Sequence, residues 1–259
     1  MKNLLKLEWY KIKYPYLISL CISTLFSCIL ILPFISGYSY NHNIEIWQQS
    51  NQVFDLIFPL IAVLPSCWLM YYERKNNFMA CTLTRVSKKN YIISKWLMTS
   101  MGSAVIIFIF SFIGLIFCLV VTNNIELSGI KLQGRDTSLE ALYGYYLVNK
   151  PYLFGLCLSI WRAIIGFIIG TLGFTLSLYV NNIFIIMTGP FVYVFIQHYI
   201  LAILGVPYYS IITSFDPSIL ASKSISLERL LIGPFLLIVF ICITIICFSI
   251  IKKNSIYDI

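Results

Sequence analysis

The most regular feature of the chain is a series of apolar runs separated by short polar, charge-bearing stretches. Crossing ~30 Å of hydrocarbon takes about 20 apolar residues in a helix. Six runs reach that length: residues 15–36, 52–72, 97–121, 152–180, 184–205 and 230–251. The pattern predicts an all-α polytopic membrane protein with six transmembrane helices, built as one domain over residues 1–259. Ahead of the first run, Leu5, Trp9, Ile12 and Tyr16 recur at spacings of four, three and four. That apolar stripe predicts an interfacial helix over residues 1–14, with Lys2, Lys6 and Lys13 lying off the stripe toward anionic head groups. A basic flank that only orients the chain accounts for the same residues.

Composition supports lipid as the main solvent. The chain of 259 residues is 59% hydrophobic and only 11% charged, with a mean hydropathy of +0.87. A soluble domain carries roughly 25% charged residues, so a water-covered globule is excluded. The net charge of +8 does not point to nucleic acid, because the basic residues border apolar runs and form no basic domain. The first run follows lysines as a signal peptide would, but it is longer than an h-region and no small-residue cleavage site follows, so it reads as a span. The eight cysteines fall in apolar runs or in the 73–96 connection, with no C-x-x-C spacing. They behave as small buried residues and make neither a disulfide framework nor a zinc site.

Lys and Arg placement orients the helices. With the amino terminus inside, twelve of the 18 basic residues flank the inner ends of spans, five lie in outer segments, and Arg162 sits within the fourth span. Both termini are therefore expected in the cytoplasm, with the chain multi-pass in the membrane. The segments 37–51, 122–151 and 206–229 then lie outside, the second long enough to hold its own helix. The connection 181–183 is a tight inner turn. The tyrosines of the outer segments (Tyr143, Tyr145, Tyr146, Tyr208, Tyr209) fit an interfacial aromatic belt, or the cap of an exit path.

Catalytic chemistry is missing. The chain has no G-x-x-x-x-G-K-[ST] phosphate loop, no H-E-x-x-H and no G-x-S-x-G. His42 and His198 are its only histidines, too few for a histidine metal site. Asp55 and Asp216 both fall near outer boundaries, leaving no evident acidic relay at mid-depth. No enzymatic activity is expected of this chain, and energy for any transport must be supplied by a partner.

The most informative stretch is 73–95, between the second and third spans. It opens with Glu73, Arg74 and Lys75 at the membrane exit, continues through Phe78 and Leu83-Thr84-Arg85-Val86-Ser87-Lys88, and ends at Lys95. A short helix here would present basic and apolar side chains to a partner, and an N-cap at Ser87 is placed to start the next helix, running through Tyr91 and Lys95 into the third span. This arrangement resembles permease subunits of the ABC-2 exporter family. These commonly carry a glutamate ending the second span, then leucine, threonine or serine, proline-valine-serine-arginine, and a lysine opening the third. Glu73, Leu83, Thr84, Val86, Ser87 and Lys95 match; Arg85 stands where proline is usual and Lys88 where arginine is. Asn76 and Asn77 occupy the place of a glycine often found after the glutamate. The opening stretch Leu4 to Lys11, with Glu8 and Trp9, is similar to the family's interfacial start.

The resemblance implies a coupling helix at about 74–86 that docks on a separate ATPase subunit. ATP and Mg would be bound by that partner, and no cofactor by this chain. A second permease chain, identical or paralogous, would complete the pathway. The small size is most similar to permeases of lantibiotic and peptide export and immunity, implying an amphipathic peptide cargo; lipid, glycan or drug export is the alternative, and a membrane sensor or secondary transporter a further one.

Two intramembrane features remain. Arg162 costs about 2.5–3.5 kcal/mol to insert, so it is expected to face the interior, pairing with Asp55 or an anionic group of the substrate, or else to snorkel outward. Gly166 and Gly170 form G-x-x-x-G, expected to pack helices closely, within one chain or between two. Gly189-Pro190 and Gly233-Pro234 mark expected kinks or helix ends.

Overall fold

A computed structural model describes residues 2–37, 42–84, 86–122, 144–217 and 227–251. Arg85, most of the 122–151 segment, part of the 206–229 segment and the basic carboxyl terminus lie outside the described residues. Every element among them is helical. Six helical segments are long and apolar enough to cross a membrane: Leu4–Ile35, Phe54–Lys75, Lys88–Thr122, Pro151–Tyr179, Ile183–Ile203 and Glu228–Phe248.

The first helix, α1 (Lys2–Gly37), is one continuous rod. The separate interfacial helix expected over 1–14 is its first turns, and Pro15 does not interrupt it. The burial pattern explains why. The inward stripe is Glu8, Ile12, Tyr16, Ser23, Ser27 and Ile31, whereas Trp9 is exposed. That stripe holds the same helix face from the first turns onward, so the segment packs as an extension of the span. Opposite it, Leu25, Ile29 and Leu32 are exposed. Large apolar side chains outside and serines inside are the reverse of a soluble helix, and suit a lipid surround with close helix contacts within.

The 37–51 segment, expected to be a plain outer connection, carries α2 (Asn43–Asn51), which buries Ile44, Ile46 and Trp47. The second span is broken into α3 (Phe54–Val63) and α4 (Trp68–Lys75). Pro65 lacks the N–H that would reach the Ile61 carbonyl, and the Ser66 and Cys67 amides both turn to the Val63 carbonyl. The Ala62 carbonyl is freed and accepts from Ser103 Oγ at 2.6 Å, a neighbouring helix supplying the donor the break removed.

A short α5 (Phe78–Leu83) leads to α6 (Lys88–Thr122), which begins nine residues before the apolar run because Lys88–Lys95 is helical too. The small α7 (Gly144–Asn149) precedes α8 (Pro151–Tyr179), opened by Pro151 where a missing N–H costs nothing. Next come α9 (Ile183–Ile203), a 3-10 turn at Pro207–Tyr209, α10 (Ile211–Phe215) and α11 (Leu227–Ile251). Pro190 and Pro234 lie inside continuous helices.

The tightest pairing is α6 on α8. A Cβ at Gly170 would stand 2.6 Å from Ser103 Oγ and 3.0 Å from the Ser100 Cα, and one at Gly166 would meet Ile107 and the Ser103 carbonyl. The G-x-x-x-G motif therefore works within the chain. Gly173, one turn on, faces Cys67 and Val63 at the α3–α4 break. The main core gathers Phe58, Val63, Ile107, Ile165, Ile169, Leu172 and Phe215 around α8.

Candidate functional site

At the end of the bundle where α1 begins, four charged side chains meet. Glu8 comes from α1, Glu73 from the last turn of α4, Lys95 from the third turn of α6, and Lys11 from α1 one turn past Glu8. Lys95 Nζ donates to Glu8 Oε2 at 2.5 Å and is ion-paired with Glu73. Lys11 Nζ lies 2.7 Å from Glu73 and 3.4 Å from Glu8. The Tyr91 hydroxyl donates to Glu73. Two cations and two anions balance. Such a group is stable only intact, because losing one member leaves a buried charge without its counter-ion.

Neighbouring contacts extend this cluster to α5. Lys11 Nζ also stands 4.4 Å above the Phe78 ring, and Met79 packs with Met70, Tyr91 and Phe174. Asn77, at the start of α5, has φ 53°, the left-handed region that asparagine tolerates better than most non-glycine residues. Arg74 points the other way and caps α8: its guanidinium donates to the Leu178 carbonyl, to the Val180 carbonyl at 2.8 Å and to Asn181 Oδ1 at 2.5 Å. A cation on the last carbonyls of a helix is favourable. The residues expected to meet a partner thus divide. Glu73 and Arg74 are committed to the bundle. Lys75, Phe78, Thr84 and Ser87 are exposed, Leu83, Val86 and Lys88 are half-buried, and Arg85 lies outside the described residues. Ser87 directly precedes α6, and its carbonyl accepts the Tyr91 amide at 3.1 Å.

The opposite end holds the intramembrane arginine. Arg162 is fully buried, which removes the snorkelling option. Its partner is Asp216 and not Asp55: Nη2 donates to Asp216 Oδ2 at 2.7 Å, Nη1 to Ser111 Oγ at 3.2 Å and Nε to the Phe215 carbonyl at 3.2 Å. Trp47 and Phe215 lie against the guanidinium, with centroids 4.9 and 5.0 Å away. Asp216 is reachable because the 207–216 segment folds back into the bundle. Ser210 caps α10 by accepting the Thr213 amide, Phe215 stacks on Phe58 at 4.0 Å, and the Ser214 carbonyl accepts Trp161 Nε1 at 2.7 Å. Residues 211–216 are all buried, so the outer connection expected here is in part core. The signal for it was the Ser cap followed by Ile211, Ile212 and Phe215.

Six apolar spans with small polar residues turned inward define a polytopic helical membrane protein. No family model matches the sequence, and neither a curated protein nor a solved structure matches it.

Proposed function

We propose that this chain is the permease subunit of an ATP-driven exporter in a bacterial plasma membrane, with both termini in the cytoplasm. Separate ATPase subunits bind ATP and Mg, and a second permease chain, identical or paralogous, completes the pathway. The cargo is an amphipathic molecule, foremost an antimicrobial or signalling peptide, with lipid, glycan or drug as the alternative.

One observation carries the reading. The short α5 leaves the bundle with an exposed face, yet is tied through Phe78, Lys11 and Glu73 to α1, α4 and α6 together. A push on α5 is delivered to three spans, because the ions beneath it cannot separate without stranding a charge. A helix held this way suits transmission of force from a docked ATPase. The left-handed Asn77, at the place of the glycine in the exporter pattern, adds to the resemblance.

The test is affinity purification of the full chain from its native membrane in mild detergent. An ATPase should co-purify, and charge reversal of Arg85, Lys88 and Lys89 to Glu should release it, while Lys150→Glu at the opposite end should not. Recovery of a lone permease in every mild detergent, or an ATPase indifferent to the reversal, refutes the proposal. The buried Arg162, Asp216 and Asp55 favour a second reading, an ion-coupled secondary transporter, which requires no ATPase to co-purify.

A further inference from the structure

The end of the bundle that holds Arg162 has more carboxylates than cations. Asp55, in the first turn of α3, is 1% exposed, and one turn further on Phe58 stacks on Phe215 at 4.0 Å, the residue before Asp216 whose carbonyl accepts from Arg162. Asp216 has taken the guanidinium. Neither Asp55 oxygen has a hydrogen-bond partner among the described residues, and Asn51 Nδ2 and Trp47 Nε1 are likewise buried and unpartnered there. Asn51 stands four residues ahead of Asp55, and Gln52 and Val53 between them are right-handed helical. Asn51 therefore sits one turn away on the same face.

The elements around α3 offer Asp55 little else. From Trp96 to Thr122, α6 has no charged residue, and neither does α1 beyond Lys13. Among charged side chains α8 brings Arg162, the segment after α10 brings Asp216, and α2 brings Glu45. From α9 come Tyr193, His198 and Tyr199, of which Tyr199 is exposed and His198 is engaged with Ser210 at 3.0 Å. With Asp216 ionised against Arg162, an ionised Asp55 would leave one unpaired negative charge in apolar surroundings, where a carboxylate takes up a proton instead.

We propose that Asp55 is a proton-binding site. It carries a proton from water while Arg162 holds Asp216, and on returning that proton to water it competes with Asp216 for the guanidinium. Arg162 also donates to the Phe215 carbonyl, so the exchange loosens the inserted 207–217 segment. Proton binding at Asp55 thus controls whether the 207–217 segment stays in the bundle. This holds whether or not the chain serves an ATPase.

The test is isotope-edited infrared spectroscopy of the full chain in lipid nanodiscs. Only four aspartates are present, Asp55, Asp136, Asp216 and Asp258, so carbon-13 aspartate isolates their bands. At neutral pH a protonated carboxyl stretch should appear, shift with the label, vanish in Asp55→Asn and persist in Asp136→Asn. Absence of the band at neutral pH, or its persistence in Asp55→Asn, overturns the proposal. So does its removal by sodium but not potassium at fixed pH, which would make the ligand a metal cation. A second measurement needs no variant. Amide hydrogen exchange of 207–217, corrected for the intrinsic pH dependence, should rise about tenfold through the pH at which the band disappears. Exchange that stays flat there overturns the link to the segment.

Discussion

Lys95→Met tests whether the four-charge cluster holds the ends of α1, α4 and α6 together. The substitution replaces a buried ammonium by an apolar chain of similar length. The side chain of Lys95 is 2% exposed and bridges Glu8, 3% exposed, and Glu73, 8% exposed. Without it, two carboxylates face Lys11 alone, which is 2.7 Å from Glu73 but 3.4 Å from Glu8 and 27% exposed. Stranding one member of a buried pair costs about 3–5 kcal/mol. Lys11 remains nearby and partly hydrated, which places this loss at the low end, about 3 kcal/mol. At roughly 2–4 °C per kcal/mol, the melting temperature should fall by on the order of 6–12 °C.

The assay is a thermal ramp in one fixed detergent and lipid mixture, scored by the monodisperse fraction on size exclusion. The control is the double variant Lys95→Met with Glu8→Gln. It removes one charge of each sign and leaves the Lys11–Glu73 pair intact, so it should regain more than half of the loss. A single variant melting within about 2 °C of the parent would refute the cluster's structural role. A double variant no better than the single would show that the loss is one of packing and not of charge.

Two further substitutions probe the bundle. Arg162→Leu leaves buried Asp216 without its cation and should cost about 3–5 kcal/mol; Arg162→Lys should also fail, since one ammonium cannot serve Asp216, Ser111 and the Phe215 carbonyl as a planar fork does. Melting curves and proteolysis within 207–217 check both. Gly170→Ala forces a Cβ to 3.0 Å from the Ser100 backbone and should cost about 1–3 kcal/mol. Gly114→Ala, whose nearest contact would be Ser27 Oγ at 3.5 Å, meets no clash and should gain the helix-interior difference between the two residues, about 0.5–1 kcal/mol, in the same assay.

The six spans were legible because length and hydropathy are local properties that tertiary contacts do not alter. The start of α6 was legible from another local signal, the cap at Ser87, which predicts a helix running through Tyr91 and Lys95 into the third span, as found from Lys88 onward. The charge cluster beside it was not, because hydropathy counts each charge as though water surrounded it. Lys95 is neutralised by a glutamate 87 residues away, a pairing no window along the chain contains. The same blindness produced the stripe through Trp9. A face is ordinarily read from its apolar members, but the residue turned inward there is Glu8, held by Lys95 of α6 and by Lys11 of its own helix.

Glu73 and Lys95 stood out from sequence as brackets of one connection, yet nothing local placed them on each other. The sequence leaves Arg162 either inside, against Asp55 or an anionic substrate group, or snorkelling outward; the structure buries it and pairs it with Asp216 instead. With 206–229 read as an outer segment, nothing brings Asp216 into the bundle, and Asp55 is the carboxylate that lies on a span. A buried guanidinium requires a counter-ion, and the charge inventory alone admits either aspartate. Choosing between them depends on whether 207–216 is core, and that rests on Phe215 reaching Phe58 and Trp161 reaching the Ser214 carbonyl. Those contacts join helices far apart in sequence. The same insertion that pairs Asp216 with Arg162 leaves Asp55 as the surplus acid, so one unforeseen fold of a connection decides both the pairing and the position left for a proton.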